Sequence, residues 1–116
     1  MTGKEGGNWV ICTYRVKEGD EGRFVELLER HWPTLHGQGL VTDEPARAFR
    51  GKDESGKTYF VELFEWKDIS AAETAHQTPA VMAVWEPMGA LVEARLGRPP
   101  MEFPHFEQVR LDHAKG

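Results

Sequence analysis

The stretch TYFVELFEW, at residues 58–66, constrains the fold of this chain more than any other. It is rich in β-branched and aromatic residues, which predicts a β-strand. Side chains alternate between the two faces of a strand, and here both faces are largely apolar. The stretch NWVICTYRV, at residues 8–16, has the same property. Because apolar faces are normally covered, the sequence predicts one sheet face under helices and the other against a further surface.

Two regions have helical patterns. In the first, at residues 21–36, apolar side chains recur at helical spacing after Asp20, which we expect to be the N-cap. Pro33 lacks the amide hydrogen that a helix interior needs, so we expect the helix to bend or end there.

The second helical region begins at Ala71, where Ser70 and Glu73 have the spacing of a capping box. It restarts at Pro79, with Thr78 as the expected N-cap. An apolar stripe then predicts a helix that is kinked at Pro87 and ends at Gly97.

Two further strands complete the chain. Residues 40–50 form a less regular strand that Pro45 interrupts, and residues 105–111 form a short last strand. The order of elements is βαββαβ, which predicts an α+β, ferredoxin-like fold: a four-stranded antiparallel sheet with two helices on one face. We expect a single domain over residues 1–116, with flexible ends at 1–7 and 112–116. Two such sheets packed face to face would form a homodimer.

The composition excludes several classes of protein. A net charge of -5 argues against a nucleic-acid-binding protein and against a surface for anionic lipid. No apolar run approaches the roughly 20 residues that cross a bilayer, and the N-terminus has no signal-peptide core. The single cysteine, Cys12, cannot form an internal disulfide, so we expect a cytoplasmic location.

Four motifs of the chain occur together in a known group of proteins. They are VKEGD at 16–20, YFVELFEW at 59–66, DISAAETAH at 68–76 and the Thr78-Pro79 helix start. With them the chain resembles the antibiotic biosynthesis monooxygenase family, in the dimeric α/β-barrel superfamily. The resemblance covers about residues 9–111. It implies a homodimeric α/β barrel with a pocket between sheet and helices in each subunit. Some members resemble cofactor-independent oxygenases of phenols or quinols, whereas other members degrade haem, isomerise small metabolites or process signalling molecules.

Trp66 and His76 match the tryptophan and histidine that recur in this family. The resemblance implies that His76 removes a phenolic proton or orients the substrate, and a neutral imidazole suits that work. Trp66 would be an aromatic wall of the pocket. Alternatively, His76 bridges the helix break before Pro79, and Trp66 closes the end of the sheet.

Glu62 is the one carboxylate within a strand face that is otherwise apolar. A carboxylate in such a place must be paired or have a perturbed pKa, and either can serve catalysis. Glu62 is therefore a candidate to orient His76 or to act as a second acid. Alternatively, it forms a structural ion pair with Arg15, Arg47 or Arg50 at the dimer interface.

Several other aromatic side chains are candidates to line the pocket and bind a flat substrate. Tyr14, Trp32 and Trp85 lie on apolar faces of their elements, and His31 precedes Trp32 in the first helix. The alternative for each of them is ordinary packing in the core.

No metal or cofactor is expected from the motifs. His31 and His36 lie on different helical faces, and zinc, phosphate-loop and dinucleotide patterns are absent from the sequence. The haem-degrading relatives have an asparagine on the first strand, where this chain has Cys12. The leading hypothesis is a cofactor-independent oxygenase of a small phenol or quinol. The alternatives are a non-catalytic ligand-binding dimer, or an isomerase or lyase of the same superfamily.

Overall fold

A computed structural model describes residues 6–112. The strands of this region are β1 (Gly6–Arg15), β2 (Arg47–Lys52), β3 (Thr58–Trp66), β4 (Met101–Glu102) and β5 (His105–Gln108). The helices are α1 (Glu21–Gly37), α2 (Ala71–His76) and α3 (Pro79–Ala90). No helix in this part of the chain is long and apolar enough to cross a membrane.

The strands form one antiparallel sheet, in the order β2-β3-β1, with β4 and β5 both on the free edge of β1. The central pair is in register from Asn8, opposite Trp66, to Arg15, opposite Tyr59. This topology is the ferredoxin-like α+β arrangement that the order of elements predicted.

One face of the sheet forms the core with all three helices. Val10, Cys12 and Tyr14 of β1 and Phe60 and Phe64 of β3 are buried on this face. Phe24 and Leu35 of α1, Ala75 of α2 and Met88 of α3 pack against them.

The other face is also largely apolar, as the sequence predicted. Trp9, Ile11, Val61 and Leu63 are only partly buried there. Phe49, which pairs with Val61 across the strands, is 59% exposed. Within residues 6–112 of the single chain, no helix covers this face.

The first helix continues through Pro33 to Gly37, so the proline does not end it. His31 and Leu35, on either side of the proline, are both buried against the sheet. Their packing therefore offsets the backbone hydrogen bond that Pro33 cannot make.

The last helix ends earlier than predicted, at Ala90 rather than Gly97. The chain beyond it turns along the end of β1, where Val92 bridges Val16 and the Lys17 amide donates to the Leu91 carbonyl at 2.8 Å. These backbone hydrogen bonds with the end of β1 replace the ones that a longer helix would have made. The spacing of apolar residues in the sequence does not indicate them.

The predicted N-caps are wrong in their hydrogen bonds, although the helices begin where expected. Asp20, Ser70 and Thr78 make no side-chain cap hydrogen bond. The Ser70 hydroxyl instead donates to Asp68 at 2.8 Å. Pro79 does occupy the start of α3.

The two outer strands also differ from prediction. Only residues 47–52 of the second strand region are a strand, because Pro45 interrupts the pairing, and Val41 makes an isolated bridge to Trp66. The fourth strand is divided into β4 and β5 around Pro104, instead of running over 105–111. Gly6 and Gly7 lie in β1 rather than in a loose end. The rest of the predicted flexible ends, apart from Asp112, lies outside the described residues.

Candidate functional site

A cavity of about 190 Å³ lies between the helical layer and the sheet. Its floor is the buried face of β1 and β3, with Cys12, Tyr14 and Trp66. Its sides come from the helices, including His31 of α1 and Trp85 of α3. The alternation of β1 and β3 aims these side chains at the helices, so the pattern that builds the core also builds the cavity.

Five of the seven predicted site residues line this cavity, and their elements bring them together from 14 to 85 in the sequence: Tyr14, His31, Trp66, His76 and Trp85. Trp32 does not lie there. It lines an open groove of about 430 Å³ between α1 and β2, and its ring stacks on His36 with centroids 4.6 Å apart. Glu62 also lines this groove rather than the cavity.

A chain of buried hydrogen bonds runs behind the cavity wall. The Tyr14 hydroxyl donates to Glu62 Oε1 at 2.7 Å, and His31 Nδ1 lies 2.9 Å from the same oxygen. The indole Nε1 of Trp85 donates to His31 Nε2 at 2.8 Å. Glu62 and His31 are each only 2% exposed. These hydrogen bonds therefore join four side chains, one each from β1, β3, α1 and α3.

The tautomer of His31 follows from these partners. An indole N–H can only donate, so His31 Nε2 must be the unprotonated acceptor of the Trp85 bond. The hydrogen of the neutral ring is then on Nδ1, and it donates to Glu62. The contact is thus a hydrogen bond from a neutral imidazole to a carboxylate, and not an ion pair.

The predicted arginine partners of Glu62 are wrong. Its hydrogen bonds within residues 6–112 come from Tyr14 and His31. Arg15 instead binds Glu102 at 2.8 Å. The Arg50 guanidinium lies over the Phe60 ring, 5.3 Å from its centroid. Alternation places Glu62 under the helices, whereas an interface ion pair would have required the opposite face.

Burial shifts the acid–base behaviour of two groups on the cavity floor. Burial, followed by the charge of Glu62, raises the pKa of the Tyr14 hydroxyl well above 10. The same two causes raise the pKa of the Cys12 thiol well above 9, although a hydrogen bond with Tyr14 opposes them. Tyr14 therefore remains a hydrogen-bond donor at neutral pH, and Cys12 remains a thiol without nucleophilic thiolate character.

His76 and Trp66 both line the cavity, but they differ in their exposure to solvent. His76 is exposed at its edge, and its ring meets that of Trp85 edge-on with centroids 4.8 Å apart. Trp66 is 5% exposed, and its Nε1 has no hydrogen-bond partner among the described residues. A buried donor without a hydrogen-bond partner lowers the stability of the protein, and a ligand oxygen next to Trp66 Nε1 would supply the missing acceptor.

Sequence reasoning missed the hydrogen-bond chain and part of the cavity rim. Phe103 and His105, which flank the break between β4 and β5, also line the cavity. Their segment has no periodic pattern that predicts this place. The link between Tyr14 and Glu62 had a signal, since both residues alternate onto the buried face and register places them near each other.

Residues 6–112 contain no group of three His, Cys, Asp or Glu side chains that could hold a metal ion. The absence of a cofactor stays a prediction from the sequence.

Comparisons with known proteins show similarity in structure. Neither a protein-family model nor a curated protein matches the sequence. An antibiotic biosynthesis monooxygenase of known structure is 16% identical, with a TM-score of 0.66 over 88% of this chain and 98% of that one.

Two further structures show the same fold. SnoaB, a cofactor-independent oxygenase from Streptomyces nogalater whose structure is that of a mutant, is 16% identical, with a TM-score of 0.63 over 93% of this chain and 97% of its own. A protein from Shewanella oneidensis is 19% identical, with a TM-score of 0.63 over 96% of this chain and 98% of its own. The chain therefore has the fold of the antibiotic biosynthesis monooxygenases, which confirms the resemblance seen in its sequence motifs.

Proposed function

We propose that this protein is a cofactor-independent monooxygenase of a small phenol or quinol, which binds in the cavity between sheet and helices. The observation that carries the proposal is the composition of that cavity. Its lining is mainly apolar and aromatic, and it includes three side chains that also carry polar groups, Tyr14, His31 and Trp66. A small aromatic molecule with oxygen substituents matches such a lining.

The polar groups support a position for the substrate. Trp66 Nε1 is a buried donor that lacks a partner among the described residues, and a substrate oxygen can accept its hydrogen bond. Trp85 and Phe64 supply aromatic surfaces at the same cavity. Offset or edge-on contacts with these rings would hold a flat substrate.

The chemistry requires that the substrate be deprotonated and kept from water. His76 is our candidate base, because it is exposed at the cavity edge and can exchange the proton with solvent. The ionised substrate itself then supplies the electrons that reduce O₂. Glu62 has an orienting role, since it holds Tyr14 and His31 in place through its hydrogen bonds. SnoaB is likewise named as an oxygenase that works without a cofactor.

Oxygen uptake with a panel of hydroquinones and phenols tests the proposal. We expect uptake by the wild type and a loss of about 10²–10⁴-fold in His76→Ala, which is the usual contribution of a general base. His36→Ala is the matched control, because His36 is also exposed and in contact with a tryptophan, but does not line the cavity. No uptake with any substrate would overturn the monooxygenase, and binding without turnover would favour the ligand-binding alternative. Uptake that is unchanged in His76→Ala would remove only the role of His76.

A homodimer is the second part of the proposal. The uncovered sheet face carries partly exposed apolar side chains, including Trp9 and Leu63, and Phe106 is 46% exposed beside them. Burial of this face against a second copy would remove it from water. Light scattering tests the dimer, and a mass equal to that of one chain would contradict it. The cytoplasmic location stays a prediction.

A further inference from the structure

Glu62 lies between the cavity, through its two hydrogen-bond donors, and the open groove. Its Oε1 accepts both hydrogen bonds, from Tyr14 and from His31, which line the cavity. Its other oxygen, Oε2, accepts no side-chain hydrogen bond within residues 6–112, and Glu62 itself lines the groove between α1 and β2. One carboxylate thus has contacts toward the cavity on one side and toward solvent on the other.

Tyr14 is the connection between the cavity and this carboxylate. Its hydroxyl hydrogen is committed to Glu62 at 2.7 Å, whereas a hydroxyl oxygen keeps lone pairs that can accept a further hydrogen bond. His31 cannot serve in this way, because both of its ring nitrogens are engaged, with Glu62 and Trp85. Of the two donors to Glu62, Tyr14 is therefore the one whose polar group can also accept a hydrogen bond from a ligand hydroxyl.

We propose that Glu62 and a phenolic ligand of the cavity share one proton, which passes between them through the Tyr14 hydroxyl. This inference rests on the proposed function, because it takes a phenol as the ligand. It adds a proton-accepting role to the orienting role of Glu62, and it concerns a ligand hydroxyl at Tyr14, whereas His76 is the candidate base at the exposed edge of the cavity. The ligand O–H bond breaks as a new Tyr14 Oη–H bond forms, while the original Oη–H bond breaks and an O–H bond forms on Glu62. The negative charge moves from the carboxylate to the ligand oxygen, and no oxidant or other reactant is needed.

The electrostatics of the site favour a shared proton. A phenolate and a carboxylate on either side of a single hydroxyl would be two like charges in a buried, low-dielectric place. Two acidic groups placed so close together do not both ionise, and they hold one proton between them as paired carboxyl groups do. Since the His31 ring is neutral, it does not compensate a second negative charge.

The other titratable and charged groups near Glu62 do not take this role. Cys12 on β1 remains a thiol because burial and the charge of Glu62 raise its pKa. Arg50 of β2 and Glu29 of α1 line the groove, and both are exposed. Proton exchange between Glu62 and solvent would occur on this groove side.

Binding of 4-nitrophenol, followed by calorimetry in two buffers of different protonation enthalpy, tests the proposal. The pH is one at which the free probe is fully ionised. When the phenolate enters the cavity, Glu62 must take up a proton, so we expect an uptake of about one proton per site in the wild type. We expect almost none in Glu62→Gln. Glu65→Gln is the matched control, since Glu65 lies on the same strand but on the opposite face.

Infrared difference spectra supply a measurement that needs no variant. In the wild type, probe binding should replace a carboxylate band with the C=O band of a protonated carboxyl group.

Tyr14→Phe should bind the probe about tenfold more weakly, as expected for one lost hydrogen bond. Unchanged affinity in Tyr14→Phe would overturn the part given to Tyr14.

No proton uptake by the wild type, undiminished uptake in Glu62→Gln, or no protonated carboxyl band would each overturn the shared proton. Absence of probe binding would overturn it as well, because a phenol would then have no place beside Tyr14. If proton uptake occurs as described while O₂ consumption is absent, the monooxygenase proposal fails and the shared proton stands.

Discussion

Tyr14→Phe removes one hydroxyl group from the buried hydrogen-bond chain and should destabilise the protein measurably. The phenyl ring stays, so the contacts with Phe24 and Phe103, at centroid distances of 4.9 Å and 6.0 Å, are kept. What is lost is the 2.7 Å bond to Glu62. A buried carboxylate that loses one of two donors loses a charge-assisted hydrogen bond, which contributes about 1.5–3 kcal/mol.

Urea denaturation measures this loss as a change in the free energy of unfolding. At about 4 °C per kcal/mol for a domain of this size, the midpoint of thermal unfolding should fall by about 6–12 °C. Tyr59→Phe is the matched control, because Tyr59 is the other tyrosine of the chain and lies on the opposite sheet face. We expect it to change the free energy by less than about 0.5 kcal/mol, because Tyr59 is only partly buried in the single chain and the substitution removes no buried hydrogen bond.

A double-mutant cycle separates the hydrogen bond from other effects of the substitution. In a Glu62→Leu background the carboxylate is gone, so Tyr14→Phe should cost much less than in the wild type. A cost below about 0.5 kcal/mol for Tyr14→Phe in the wild type would refute the reasoning, since it would mean that Glu62 does not depend on the Tyr14 hydroxyl. An equal cost in both backgrounds would also refute it.

Single substitutions or reactions at three other residues test further parts of the structure. The Ser55 hydroxyl and then backbone amides lower the pKa of Asp53 from 3.8 to about 2, so its contribution to stability is present above pH ~4 and is lost as the pH falls toward 2. Urea denaturation at several pH values should show Asp53→Asn less stable than wild type at neutral pH, with a difference that shrinks through this window; a constant difference would contradict it. Trp85→Phe should leave His31 in the Nδ1–H form, because Glu62 still accepts the hydrogen on Nδ1, and ¹⁵N NMR should show this single tautomer; a mixture of tautomers would show that the Trp85 bond alone sets it. Cys12, which is 1% exposed, should react with a thiol reagent only as the protein unfolds, and rapid reaction of the native protein would show that the cavity floor is open.

The sheet could be predicted because its signal is local. Alternation along β1 and β3 identifies Val10, Cys12 and Tyr14 as one face and Trp9 and Ile11 as the other, and the structure has these faces. Hydrophobic burial acts on each residue according to this pattern, which excludes any register of β1 with β3 that is shifted by one residue. The order of strands and helices then determined the ferredoxin-like topology.

The ends of the elements could not be predicted equally well, because distant partners decide them. Pro33 is a helix breaker in isolation, but the burial of His31 and Leu35 keeps α1 intact around it. Val92 continues an apolar helical stripe, yet it pairs with Val16 across the fold. In both places tertiary contacts outweigh local propensity.

The sequence by itself determined the class of fold, the two apolar faces of the sheet and five of the side chains that line the cavity. Only the tertiary structure decided that Glu62 binds Tyr14 and His31, that Trp85 and Glu62 together set the tautomer of His31, and that Trp32 lies in a separate groove. The physical reason is that hydrophobic burial depends on a residue's own pattern and is not directional. A hydrogen bond instead requires two specific atoms within about 3 Å, and these atoms come from elements far apart in the chain.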